Sequence, residues 1–343
     1  VSSKQKKVLI VSSVVSVGML LFVYWLIPPV WRLSGGSVLV TQWLRNGGEQ
    51  QVEIGPAKPG WIGQSAVSRH VLHAIVVSED ARFFMHHGLD LEEIKASLDT
   101  NLKNKRYVRG ASTITQQVVK MAFLSRDKSL VRKFREAIGS LLVEKLLTKN
   151  QILTWYINLA EFGDGVYGIK AASYHYFKTK PELLTISQAV HLALVLPSPN
   201  LWSKGLKLRE LTDFGHQRFS VIANRMKLVG YITDEQWLNT LATGDFGRPL
   251  KGYEKVLASH DEAEKQMQGD EGFQQLVDEG AKFSEKEEPS EAKETAVAPK
   301  IEAEPAPTVA DATLLPTDTP ALEPTLEPTL ESSPSEVPAN DGP

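Results

Sequence analysis

Residues Val71–Asp90 read VLHAIVVSEDARFFMHHGLD, and the two halves of this stretch carry different signals. In the first half, Val71, Leu72, Ile75 and Val76 recur at the spacing of one helix face. The run stops on two carboxylates, Glu79 and Asp80, followed by Phe83, Phe84 and the pair His86-His87. A carboxylate there can be a solvated helix terminus. Set against an apolar wall that raises its pKa, it can instead be a general acid or base. Both readings stand on this segment alone. Adjacent histidines diverge on most backbones and H-E-x-x-H spacing is missing, which argues against a metal held by the protein.

The helical text extends outward from this stretch, from Ala66 to about Thr243. Leu130, Phe134, Ala137, Ile138, Leu141 and Leu142 make a second apolar stripe at helical spacing. Thr148-Lys-Asn-Gln151 and Thr185-Ile-Ser-Gln188 read as capping boxes, each opening a helix. About 180 residues of this composition can bury a substantial core. On the N-terminal side, Gly35–Gly60 reads as a connector with one short strand in Ser37–Leu44 and a turn at Asn46-Gly47-Gly48.

Val8–Ile27 is a run of 20 uncharged residues, long enough as a helix to span a hydrocarbon core of about 30 Å. Lys4, Lys6 and Lys7 precede it, and Tyr24, Trp25 and Trp31 mark its far end. The positive-inside rule therefore puts the N-terminus in the cytoplasm and the remainder outside. The run exceeds a signal-peptide core of about 7–15 residues and lacks a small-residue cleavage site, so an uncleaved anchor is expected.

The C-terminal end differs in composition. Eleven of the 19 prolines follow Phe283, and Ala281–Pro343 holds 14 acidic and four basic residues. The preceding body keeps 34 basic against 27 acidic residues, a net of +7 beneath the overall −3. The tail, with its LEPTLEPTLE run, lacks the apolar content to offset ordering and is expected to be disordered from about Glu262. With no cysteine in the chain, disulfides, thiolate metal sites and cysteine nucleophiles are excluded. The segmentation that follows is 1–7 cytoplasmic, 8–27 transmembrane, 28–65 connector, 66–245 helical domain and 246–343 tail.

Two further segments carry chemistry. Arg109-Gly-Ala-Ser-Thr-Ile-Thr-Gln-Gln117, with Lys120 beyond it, is dense in hydroxyls and amides. Such groups read sugars or phosphate esters, or else form a loop that caps the next helix. In Lys128-Ser-Leu-Val-Arg-Lys-Phe-Arg-Glu136, Arg132 and Lys133 stand four and three residues before Glu136. They form either a surface ion pair of little worth or a cationic cluster facing a dianion, with Glu136 kept ionised among them. Basic residues in Lys103–Arg109 beside Ile94, Leu98 and Leu102 suit an anionic membrane surface.

In this order the segments resemble the peptidoglycan glycosyltransferases, glycosyltransferase family 51, over roughly Ala66–Met226. The matching pieces are E-D-x-x-F-x-x-H-x-G (Glu79, Asp80, Phe83, His86, Gly88), G-x-S-T-I-T-Q-Q (Gly110–Gln117) and R-K-x-x-E (Arg132, Lys133, Glu136). Lys149–Asn158, Gly163–Phe177 and Ala189–Pro197 follow. The chain departs from the family pattern at Val118 and Met121, at Lys128 where arginine is usual, and at Thr154. Lys128 keeps the charge but not the bidentate fork. Ser125-Arg-Asp-Lys128 matches a transpeptidase S-x-x-K only inside this block, and K-T-G is missing, so a monofunctional enzyme is expected.

The resemblance implies a mainly α, lysozyme-like two-lobed domain behind a single N-terminal transmembrane helix, in the bacterial inner membrane with its catalytic domain outside. It implies inverting polymerisation of lipid II with release of undecaprenyl diphosphate. Glu79 would be the base, with Glu136 orienting the leaving diphosphate. Lys120, Lys128, Arg132 and Lys133 would meet the diphosphate. Asp80, Phe83, His86, Ser112, Thr113, Gln116, Gln117 and Asn158 would complete the substrate site. A divalent cation, Mg²⁺ or Mn²⁺, would come bound to the diphosphate with no protein metal site. The partners implied are lipid II, the growing glycan strand, membrane lipid and other cell-wall synthesis or division proteins, with no nucleic acid. The rival readings are a muralytic hydrolase of the same fold, against which the cations argue, and an inactive membrane-tethered scaffold, against which the intact glutamates argue.

Overall fold

The computed structural model describes residues 3–45, 47–105, 110–254 and 257. The acidic tail, Arg106 and Arg109, and the readings made on them, lie outside the described residues. In chain order the elements are α1 (Ser3–Leu26), β1 (Val38–Trp43), β2 (Glu49–Ile54), α2 (Arg69–Glu79), α3 (Leu91–Lys103), α4 (Ile114–Phe123), α5 (Leu130–Leu146) and α6 (Lys149–Leu159). Then come β3 (Glu161–Gly163), β4 (Val166–Tyr167), α7 (Ile169–Phe177), α8 (Ile186–Val195), α9 (Pro199–Leu208), α10 (Asp213–Leu228) and α11 (Asp234–Thr243).

The helix α1 carries the apolar run, with the side chains from Ile10 to Phe22 exposed, and is long and apolar enough to cross a membrane. It ends before Pro28-Pro29, where a proline without an N–H cannot extend the ladder. The expected connector also contributes to the core. Val30, Leu33, Val38 and Val40 are at most 5 % exposed and belong to the core. The pairing of β1 with β2 sets Val38 opposite Ile54 and Trp43 opposite Glu49. One face of β1 is thus apolar and buried, while β2, reading EQQVEI, offered little apolar signal in the sequence.

Two helix groups carry the core. In one, α2 and α8 pack together, with α10 and α11 against them. Every residue of Val71–Val77 and Ala189–Val195 is buried, which is why α8 is apolar on all sides. In the other, α4 packs on α5 and α6. Thr113, Thr148, Thr185 and Thr233 each close a full capping box with the glutamine three residues on, an arrangement worth about 1 kcal/mol per cap. Gly139 lets α5 approach both its neighbours: a Cβ there would lie 2.6 Å from Val119 Cγ1 and 2.7 Å from Pro28 Cγ.

The second apolar stripe behaves differently from a core face. Leu130, Phe134 and Leu141 are 90 %, 56 % and 44 % exposed, and the buried face of α5 consists of Glu136, Gly139, Ser140 and Val143. On α3, Leu91, Leu98 and Leu102 are likewise exposed. The periodicity was helical, but the side of these helices turned to the protein is the small and polar one.

Candidate active site

Glu79 is the last residue of α2, so its carboxylate emerges from the most apolar helix pair in the molecule. Gln117 Nε2 donates to its Oε2 at 3.0 Å, and Oε1 is buried without a partner. The amide of Gln117 is oriented from behind, because the Tyr156 hydroxyl donates to its Oε1 at 3.2 Å. Burial raises the pKa of Glu79; the Gln117 donor and the cations Arg218 and Lys120 oppose that rise. Tyr156, itself pushed well up by burial and the neighbouring carboxylates, stays a phenol.

Glu136 has the opposite surroundings. Its side chain is only 3 % exposed, with Arg132 Nη1 at 2.8 Å and Lys133 Nζ at 2.5 Å. The same Lys133 ammonium donates to Ser112 Oγ at 2.8 Å. Lys120 is electrostatically coupled to Glu136, Arg132, Lys133 and Glu79 together; desolvation lowers its pKa and Glu136 opposes that. The structure therefore brings together Glu79, Gln117, Lys120, Glu136, Arg132, Lys133 and Ser112 as one linked group. Lys128 is not part of it: the side chain is exposed and makes no hydrogen bond or ion pair with a described residue.

Several expected substrate ligands also make contacts within the fold. Asp80 Oδ2 accepts from the Ile114 amide at 2.9 Å, and His86 Nε2 sits 3.0 and 3.1 Å from the two Asp80 oxygens. Phe83 is fully buried beneath the Lys149 ammonium, 4.4 Å from its ring centroid. Thr113 caps α4 and donates its hydroxyl to Gly88 O at 2.7 Å, while the Gln116 amide oxygen closes that capping box. Asn158 accepts from Ile62 N and donates to Ile62 O and Thr154 O, pinning the incoming chain to α6. Each is buried, and these hydrogen bonds are made within the fold. For Thr113 the T-x-x-Q spacing was a legible capping signal that competed with the sugar-binding reading.

Asp80, His86 and Asp90 also place ligand atoms within 4.8 Å of one another. They do not suit a divalent cation. The Asp80 oxygens are taken by Ile114 N and His86, and Asp90 caps Glu93 N with one oxygen and meets Arg82 Nε with the other at 3.2 Å. Only His86 Nδ1 lacks a partner, and one nitrogen is a poor start for an ion that takes six oxygens.

Sequence reasoning passed over three groups. Tyr156 sets the Gln117 amide; Arg218 bears on Glu79 from α10; and Lys149 joins Glu144 Oε1 at 2.8 Å to His86 O at 2.7 Å, with Thr115 donating to the same Glu144 oxygen at 2.6 Å. Lys149 and Tyr156 stood inside a segment matched to the family, Lys149–Asn158, of which only Asn158 was given a role, and Arg218 had no local signature.

The sequence model of the family described as Transglycosylase matches residues 34–227. Similar curated proteins include the biosynthetic peptidoglycan transglycosylase of Paraburkholderia phytofirmans, 39 % identical over 166 residues, which are 48 % of this chain and 68 % of that protein. The protein of the same description from Dechloromonas aromatica is 37 % identical over 196 residues, covering 54 % and 82 %. That from Acinetobacter baylyi is 37 % identical over 172 residues, covering 49 % and 77 %.

Proposed function

The chain belongs to the transglycosylase family, and from that premise we propose that it polymerises peptidoglycan glycan strands, with lipid II as the monomer. The observation that carries the reading is the pair of unlike carboxylates, one dry and one paired with cations, with Lys120 electrostatically coupled to both. Glu79 takes the proton of the acceptor sugar's 4-hydroxyl. That oxygen forms the new bond to the anomeric carbon of the lipid-linked sugar, the carbon–oxygen bond to the diphosphate breaks, and its electron pair leaves on undecaprenyl diphosphate. Attack opposite the leaving group inverts the centre, by the same logic as two-carboxylate glycosidases with a sugar hydroxyl in place of water.

Lys120, Arg132 and Lys133 face the charge that grows on the leaving diphosphate, and Glu136 holds Arg132 and Lys133 in register. Lys128, free on its loop, is available to the same diphosphate. Ser112, exposed beside Lys133, and Gln117 are the polar groups best placed for the donor sugar. A Mg²⁺ or Mn²⁺ ion would arrive on the diphosphate as part of the substrate. α1 is the single-pass anchor, and the exposed leucines of α3 and α5 meet the outer membrane surface where the lipid substrate resides. A hydrolase of neutral glycan would have no use for three cations around one carboxylate.

The test is polymerisation of lipid II by the purified chain, with polymer and muropeptides resolved by electrophoresis and chromatography. Polymer is expected from the wild type, and Glu79→Gln is expected to lower the rate about 10²–10⁴-fold, the usual contribution of a general base. Soluble muropeptides released from sacculi, with no polymer from lipid II, would refute the reading.

A further inference from the structure

Glu79 Oε1 is buried and no described residue donates to it, an uncompensated position for a carboxylate oxygen inside a protein. Its twin, Oε2, accepts from Gln117 Nε2 at 3.0 Å. A single amide thus makes the two oxygens of one carboxylate unequal. That inequality depends on which end of the amide faces Glu79, because the oxygen and nitrogen ends of a glutamine have nearly the same shape. The choice is made at the end away from Glu79. There the Tyr156 hydroxyl, on a residue 1 % exposed, lies 3.2 Å from Gln117 Oε1. α4 packs on α6, and Ile152, Leu153 and Ile157 around Tyr156 are fully buried, so the phenol is presented by a close-packed element.

Tyr156, Gln117 and Glu79 have one arrangement in which each of these protons is used. The phenol donates to the amide oxygen, and the amide nitrogen donates to Glu79 Oε2. Turned round, the amide would give its N–H to the phenol oxygen and put its own oxygen where Nε2 now stands, 3.0 Å from the carboxylate. Two acceptors would then face each other unless Glu79 carried a proton. The phenol proton, meanwhile, would be left without an acceptor in a buried place. The phenol cannot escape by ionising, because burial pushes its pKa well up. The direction of the Tyr156 O–H, the orientation of the amide and the charge on Glu79 are therefore one linked choice.

We propose that Tyr156 is a positioning residue for the base: by donating to Gln117 Oε1 it keeps the amide N–H on Glu79 Oε2, which leaves Oε1 as the oxygen that takes the acceptor sugar's proton. This rests on the reading of Glu79 as the base. In the step, the acceptor's O–H bond breaks and the proton goes to Oε1. The electron pair stays on the hydroxyl oxygen and forms the new glycosidic bond. Gln117 keeps its hydrogen bond to Oε2 while the charge on Glu79 is neutralised, so the amide has no need to turn. The other groups that act on Glu79 are Asp80 beside it, Lys120 from α4 and Arg218 from α10; a change confined to the Tyr156 hydroxyl leaves all three in the chain.

The experiment compares the full chain with Tyr156→Phe, Gln117→Ala and the double variant. The pH dependence of kcat/KM is measured on lipid II, and the Glu79 carboxyl is titrated without substrate by infrared difference spectroscopy against Glu79→Gln. Phenylalanine keeps the ring and removes only the hydroxyl, so the amide is free to turn and accept from a protonated Glu79. Losing the bias toward the charged form should raise the Glu79 titration, and with it the acid limb of kcat/KM, by about one unit. Activity should then lie about tenfold below the wild type on the acid side and converge with it at high pH. Because Tyr156 acts through Gln117, Tyr156→Phe should move nothing further in the Gln117→Ala background. A loss equal at every pH with the Glu79 band unmoved would mean a structural role only, and additive shifts in the double variant would mean a route that bypasses Gln117; either overturns the proposal. If the wild type makes no polymer, the family-type activity fails, and the infrared titration still decides the role of Tyr156. If the phenylalanine variant does not fold, 3-fluorotyrosine placed at position 156, a stronger donor of nearly the same shape, must lower the Glu79 titration. An unmoved or raised band there would overturn the proposal.

Discussion

Asp80→Ala tests whether the segment after Glu79 reads substrate or holds structure. Asp80 is 8 % exposed and joins the end of α2 to the start of α4 through Ile114 N and to the His86 ring. Alanine leaves the amide of Ile114, which is fully buried, and the His86 imidazole without their acceptor. Each orphaned buried group costs about 1–3 kcal/mol, so the total is about 4 kcal/mol. At about 2–4 °C per kcal/mol for a domain of this size, Tm should fall by about 8–16 °C. Asparagine should be much milder. Its oxygen can still accept from Ile114 N, and its amide can donate to Nε2 if the ring moves its proton to Nδ1, the nitrogen that has no partner. The remaining penalty is about 1 kcal/mol for one poorly matched buried group. Thermal and urea denaturation followed by circular dichroism measure both. An alanine variant with wild-type Tm and a raised KM for lipid II would mean that Asp80 contacts the substrate, and the structural account would be wrong.

Three other changes follow from the packing. His73 and His191 are buried with pKa values pushed down to about 3 and about 4 by desolvation. Their contribution is complete above the unfolded value near 6.5 and is lost as pH falls from there through the folded values. At pH 5 each should cost about 2 kcal/mol, and His73→Phe, which keeps the stack on Tyr231, should halve the acid slope of stability. Urea midpoints flat between pH 7 and 5 would contradict this. Gly88 holds φ +92°, and a Cβ there would lie 2.8 Å from Ser140 O; Gly88→Ala should cost about 2–5 kcal/mol in strain and overlap, seen as a lower Tm. Lys149→Met removes the cation from Glu144, whose side chain is 5 % exposed, and should cost about 3–5 kcal/mol; a midpoint within experimental error of the wild type would refute it.

Contacts local in sequence were legible, and long-range ones were not. The helical periodicity of Val71–Val76, the capping boxes at Thr148 and Thr185, and the strand in Ser37–Leu44 all depend on neighbours within a few residues. So does the Arg132–Lys133–Glu136 cluster, whose members share one helix face. The Gln117 amide, by contrast, is set by Tyr156, 39 residues away, and Arg225 reaches Val77 across 148. No local pattern encodes such pairs. The same limit covers Phe83 and Asn158: a motif shows which residue types recur, and only the packing shows that Phe83 is fully buried and that Asn158, bonded to Ile62 and Thr154, lies in the wall of a pocket with Trp61, Tyr167 and Tyr174. Periodicity likewise identified the apolar side of α5 without saying whether protein or another apolar phase covers it.

That last ambiguity bears on how the reaction is set at its depth. On the proposed reading, the diphosphate of a membrane lipid lies at headgroup level while its sugars stand in the aqueous phase. Glu136, on the buried face of α5, lies six residues beyond Leu130, about 9 Å along the axis. Arg132 and Lys133 are bracketed by the exposed Val131 and Phe134. A helix is about 10–12 Å across, so the cations that meet the phosphates are held within one helix diameter of side chains suited to acyl chains. The same rigid element fixes both distances. Arg135, stacked 4.8 Å over Trp25 of α1, ties the C-terminal end of the anchor to that element as well. On that proposal, the exposed stripe that would be a defect in a soluble helix sets the height of the proposed catalytic charges above the lipid, with Glu79 reaching in from the other helix group, where the proposed base stays dry.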